Sequence, residues 1–155
     1  LKERKNQSVG QTAYTSPVSL IVGLRKVLDR MNAMGTDGLM AHHDTLARGT
    51  RAGVQALGLA LLANPPAASV TAVWAPEGMD AGAIIKGLGA RNVKIAGGQD
   101  HLKGRIFRIG HLGWFSQADI IATLSALEST LAELGHSFTP GVGVASAAAV
   151  FEGKA

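Results

Sequence analysis

The amino-acid sequence predicts an α+β fold, a small sheet with helices packed on it. Three observations point there. Apolar residues recur at threes and fours in two stretches, residues 16–58 and 116–135. Short runs rich in β-branched residues lie between them, bounded by Gly and Pro. The resulting order is helix, helix, strand, helix, strand, strand, helix.

Residues Leu1 to Thr15 are polar and without periodicity, so an extended lead-in is expected. Ser16 offers an N-cap oxygen and Pro17 suits the first helical position, while Leu20, Leu24, Leu28 and Met31 mark one apolar face. This helix should end near Met34, because Gly35 breaks it and Thr36 can start a second. The second carries Leu39, Leu46, Val54 and Leu57 and stops at Gly58. After the Pro65-Pro66 turn, Ser69 to Ala75 is a strand and Pro76 closes it. Asp80 opens a short helix through Ile84, Ile85 and Leu88. Val93 to Ala96 is the second strand, Gly97-Gly98 its turn, and Arg105 to Ile109 the third strand. Ser116, with Asp119 three residues on, forms a capping-box start for a helix through Ile120, Leu124, Leu127, Leu131 and Leu134, which Gly135 ends. The tail, residues 136–155, is rich in Gly and Ala and has no polar face. It is either a docking helix or a frayed terminus.

Composition narrows the function classes. Of 155 residues, 46% are hydrophobic and 17% charged, which suits a globular domain rather than a disordered chain. There is no cysteine, hence no disulfide framework, thiolate metal site or cysteine nucleophile. The net charge of +4 comes from scattered residues, without the basic stripe and interleaved aromatics that nucleic-acid binding wants. Apolar runs such as Leu57 to Leu62 fall short of the ~20 residues that span a bilayer, so no membrane role is expected. The N-terminus has neither an initiator Met nor an apolar stretch behind its charges; it reads as a cut end, and the location expected is the cytoplasm.

Candidate chemistry is sparse. Arg108 stands alone in the apolar run Ile106-Phe-Arg-Ile109, where a guanidinium wants an anion. It either recognises a substrate carboxylate, pairs with an internal Asp or Glu, or extends from the strand to water. His111, between Gly110 and Gly113, is left without a role. His42 and His43 are adjacent and point to different sides of a helix, a poor spacing for a metal, and no metal site is assigned. Gly141-Val-Gly143 lacks the third glycine of a dinucleotide fingerprint. Thr12 and Thr15, just ahead of a helix, could contact a phosphate or simply serve as loop and capping hydroxyls.

Two stretches carry a family resemblance. Gln11-Thr-Ala-Tyr-Thr-Ser-Pro-Val-Ser-Leu-Ile-Val-Gly-Leu-Arg25 resembles the segment leading into the interdomain helix of class V, fold-type I pyridoxal-phosphate-dependent aminotransferases, in the alanine/serine-glyoxylate branch. Ile95-Ala-Gly-Gly-Gln99 with Lys103 to Gly113 is similar to that family's carboxylate-binding strand and its approach. The resemblance implies the C-terminal part of such an enzyme, with a small antiparallel sheet packed with helices and preceded by a long interdomain helix. Residues 1–15 would then be an extended remnant of the large cofactor-binding domain, residues 16–135 the interdomain helix plus the small domain, and residues 136–155 a tail.

The resemblance also implies roles. Arg108 would bind the α-carboxylate of a small amino acid, alanine or serine, or of a 2-oxo acid such as glyoxylate or pyruvate. Thr15 and Thr12 would reach the cofactor phosphate of a neighbouring subunit in a homodimer. The family's Schiff-base lysine belongs to the large domain, and no lysine here sits in its motif. This chain alone is therefore expected to be inactive, with no catalytic residue assigned. The competing expectation is a free-standing α+β domain that binds a small carboxylate or amino acid as a regulator.

Overall fold

A computed structural model describes residues 2–154, so Leu1 and Ala155 of the sequence lie outside the described residues. The chain divides into two compact units, Leu1–Leu39 and Met40–Ala155. Its elements are α1 (Lys2–Gln7), α2 (Val18–Ala56), β1 (Val70–Trp74), α3 (Ala81–Ala90), β2 (Ala96–Gly97), a 3-10 turn (Asp100–Leu102), β3 (Ile106–Gly110), α4 (Gln117–Glu133) and α5 (Val142–Phe151). This is the α+β class expected, with an antiparallel sheet and a long helix ahead of it.

In the first unit, Lys2–Gln7 is helical where an extended lead-in was expected. Its residues are mostly straight-chain helix formers, and Gln7 Nε2 donates to the Glu3 carboxylate one turn back. The same carboxylate accepts from the Ala13 N–H, and Asn6 Nδ2 donates to the Thr12 carbonyl, so the following loop folds back on this turn. Tertiary hydrogen bonds of this kind leave no periodicity in a sequence. The N-terminal stretch of α2 presents Leu20, Ile21, Leu24 and Leu28 as an exposed apolar stripe. Gly35 interrupts the helix with φ 69° and ψ 165°, as its sequence position suggested; only a residue without Cβ adopts that conformation cheaply.

The second unit holds the core. The sheet order is β1-β3-β2, antiparallel throughout, with Ala72 and Ala96 on either side of Arg108. Thr71, Val73, Phe107 and Ile109 face the helices and are buried, meeting Leu46, Val54, Ile84, Leu88, Leu124, Leu127 and Leu131. Helix caps match the sequence signals: Asp80 accepts from the Gly82 N–H, and Ser116 with Asp119 forms a complete capping box. The second strand differs from expectation. It is Ala96–Gly97, so Gly97 is in the ladder rather than in a turn. Val93 and Ile95 pack against the core, which explains their spacing, without joining the ladder.

The tail takes the docking-helix form. α5 lies on α4 and contributes Ala147 to the core, with Gly143 the other buried residue of the helix. Small residues permit the approach: a Cβ on Gly53 would lie 2.4 Å from Leu124 Cδ1, and one on Gly143 would lie 3.1 Å from the Gly53 carbonyl oxygen. The polar anchor is Glu128 of α4, only 9% exposed. Its carboxylate accepts from the N–H groups of Gly141 (2.7 Å), Gly143 (2.9 Å) and Val144 (3.0 Å), the donors that the first turn of α5 cannot use internally. Glu128→Ala is expected to destabilise the protein by about 2–4 kcal/mol in urea denaturation, since it strands one buried and two partly buried donors; Glu128→Gln, which keeps one acceptor oxygen, should cost less.

Candidate functional site

Strand alternation decides where Arg108 sits. Phe107 and Ile109 point into the helices, so Arg108 points to the opposite face, where it is half-buried rather than enclosed among its apolar neighbours. Its backbone partners across the sheet are Ala72 and Ala96, and Gly110 follows on the same face. These small residues leave the guanidinium over open space. Arg108 Nε donates to the Gly97 carbonyl at 2.8 Å, which orients the fork and leaves both Nη groups for other partners. Among the described residues no carboxylate pairs with it, whereas Arg48 pairs with Asp44, Arg91 with Glu133 and Lys154 with Glu152. A cavity of about 370 Å³ opens beside it, walled by Val70, Ile95 and Phe115, with Lys94 at an exposed position on its rim. Such a volume suits a small ligand.

The segment after β3 is tied down by histidines that had no role in the sequence. His111 is fully buried, and its Nε2 shares a hydrogen bond of 3.1 Å with the Thr71 hydroxyl across the sheet. Its Nδ1 is buried without a partner. Burial first, then the nearby Arg51 and His43, lowers its pKa from 6.5 to about 4, so it is neutral at pH 7. His43 Nδ1 donates to the His111 carbonyl at 3.2 Å, and His42 Nε2 donates to the Phe115 carbonyl at 3.0 Å. Adjacent helical residues do point apart, yet both reach one short loop. Sequence separations of 68 and 73 residues explain why no spacing rule revealed them.

Thr12 and Thr15 belong to the first unit, and Arg108 to the second. The Thr12 hydroxyl donates to the Tyr14 carbonyl at 2.6 Å, so its proton is already committed. Thr15 is exposed, and its hydroxyl has no hydrogen bond among the described residues. The donor set thus fits one phosphate contact better at Thr15 than at Thr12. No group of three or more His, Asp or Glu among the described residues is arranged to hold a metal ion. No helix among them is long and apolar enough to cross a membrane.

No protein-family model matches the chain. It is 47% identical over 96% of its length to a Synechococcus protein named soluble hydrogenase, small subunit, and covers 40% of that protein. It is 36% identical over 94% of its length to the serine–glyoxylate aminotransferase of Methylorubrum extorquens, covering 37% of it. The crystal structure of pyridoxamine-pyruvate aminotransferase from Mesorhizobium loti superposes with a TM-score of 0.81 at 32% identity, over 92% of this chain and 38% of that one. The chain therefore spans about 40% of the length of the curated relatives it matches.

The histidine at the end of β3 makes stability depend on pH. Its folded pKa lies below the unfolded value, so its contribution is complete above pH 6.5. It is lost as pH falls, because the unfolded chain takes up a proton that the folded one resists. Urea denaturation at pH 7 and near pH 4 should show a loss of up to about 3 kcal/mol from this group, and His111→Leu should remove that part of the slope.

Proposed function

We propose that this chain, a homologue of the C-terminal part of class V pyridoxal-phosphate-dependent aminotransferases, provides the substrate-carboxylate anchor of such an enzyme. The reaction moves an amino group between a small amino acid, alanine or serine, and a 2-oxo acid such as glyoxylate or pyruvate. The observation that carries this reading is Arg108: an oriented guanidinium without an internal counter-ion, facing a small cavity floored by Ala and Gly. A fixed fork of donors suits a carboxylate, which it binds through two parallel charge-assisted bonds.

Pyridoxal phosphate, when bound, supplies the electron sink for bond changes at the substrate Cα. This chain's part is to hold and orient. Arg108 fixes the carboxylate end of the substrate, which sets the direction in which Cα is presented. Thr15 donates to the cofactor phosphate of the neighbouring subunit in a homodimer, with Thr12 a weaker second donor because of its bond to Tyr14. The apolar stripe of Leu20, Ile21, Leu24 and Leu28 supports a place within a larger protein, against the large cofactor-binding domain, over a free-standing regulatory module. Location in the cytoplasm is part of the same reading. One relative is named as a hydrogenase subunit, but this chain has no cysteine and so contributes no thiolate to a metal centre.

In the full-length protein, Arg108→Lys should lower kcat/KM for alanine or serine with glyoxylate about 30-fold, corresponding to about 2 kcal/mol for a lost bidentate contact. Unchanged kinetics would remove Arg108 from this role. The 155-residue chain, mixed with an equimolar amount of pyridoxal phosphate, should give no stoichiometric borohydride-stable adduct by intact mass; a stoichiometric adduct at one position would show that one of its own lysines anchors the cofactor.

A further inference from the structure

We propose that Phe115 sets the size limit for the carboxylate ligand at Arg108, and that His42 is the positioning residue that holds it there. This inference rests on the reading of Arg108 as a carboxylate anchor. Beside the guanidinium the cavity is lined by Ala96 and Gly110, and a Cβ added at Gly110 would meet nothing within 4 Å. That lining therefore selects nothing by size. Of the apolar walls, Val70 is fixed by the sheet as part of β1, and Ile95 is held by packing against the core. Phe115 is different: it belongs to the connection between β3 and α4, and 46% of it is exposed.

An aromatic ring on a short exposed connection normally has no fixed place. Here the backbone on both sides is pinned. His42 Nε2 donates to the carbonyl of Phe115 itself at 3.0 Å. The next residue, Ser116, is locked in the capping box, its N–H donating to Asp119 Oδ2 at 2.7 Å. At the other end, His43 holds the His111 carbonyl and the buried His111 side chain meets Thr71. Leu112, Trp114 and Phe115 are all exposed, so these ties do not serve to bury the connection in the core. What they achieve is a preorganised wall, with Phe115 and Arg108 lining the same cavity and no ordering cost left for the moment of binding. A ligand anchored at Arg108 then has room for a short tail, while a longer or aromatic tail meets the Phe115 ring.

The test uses the full-length protein and two probe ligands, propionate and 3-phenylpropionate, with affinities measured by isothermal titration. Phe115→Ala should shift the affinity ratio toward 3-phenylpropionate by about tenfold or more, the scale on which apolar pockets discriminate by size. His42→Leu, which removes the donor, should shift the ratio in the same direction. His42→Gln, which retains an N–H donor, should keep the wild-type ratio, and His42→Leu should add nothing once Phe115 is alanine. An unmoved ratio in Phe115→Ala overturns the size limit. Equal weakening of both probes by His42→Leu overturns the positioning role. Arg108→Lys separates the two levels: if it leaves propionate affinity unchanged, the anchor fails and the proposal with it, whereas a weakened propionate with an unmoved Phe115 ratio sinks the size limit alone.

Discussion

The architecture of the second unit depends on one buried carboxylate. Glu128 accepts from three N–H groups at the start of α5, and without it the buried Gly143 N–H and its partly buried neighbours would lack an acceptor. The carboxylate also suits the positive end of the helix dipole. Its position is possible because α5 comes close to α2 and α4 at Gly53 and Gly143, where a side chain would collide at the first and crowd its neighbours at the second. The capping charge and the missing side chains are complementary: one fixes where the helix begins, the other how near it lies. Docking α5 in turn buries Ala147 and completes the surface on which Leu124 and Leu127 pack.

From that packed side the sheet turns its other face outward, and the candidate site is a consequence of period-two alternation. The residues that anchor β3 to the helices, Phe107 and Ile109, oblige Arg108 to face away from them. This relieves the desolvation problem that an arginine in an apolar run first suggests. The guanidinium is held by one carbonyl, flanked by small residues, and stays only half-buried.

The histidines show the same division of labour at a smaller scale. His111 turns back to the packed side, where burial keeps it neutral, and its backbone carbonyl is left for His43. His42, one residue earlier on the same helix, takes the Phe115 carbonyl instead. α2 and the connection between β3 and α4 are thereby registered with each other through backbone acceptors.

Much of this was legible in the amino-acid sequence, and the reasons are local. Periodicity, Asp80, Ser116 with Asp119, and the breaks at Gly35, Gly58 and Gly135 act within a turn or two of the chain, so they located helices and strands and the class of fold. Arg108 stood out because a lone charge in an apolar strand violates a local pattern. What only the tertiary structure decided involves partners far apart in sequence. The helicity of Lys2–Gln7 is accompanied by contacts from Ala13 and Thr12, the shift of β2 to Ala96–Gly97 by pairing with β3, and the docking of the tail by Glu128 and Gly53. The roles of His42, His43 and His111 are of the same kind. Hydrogen bonds to backbone carbonyls about 70 residues away leave no trace in spacing or composition, because the acceptor is common to every residue and only the fold selects which one is within reach.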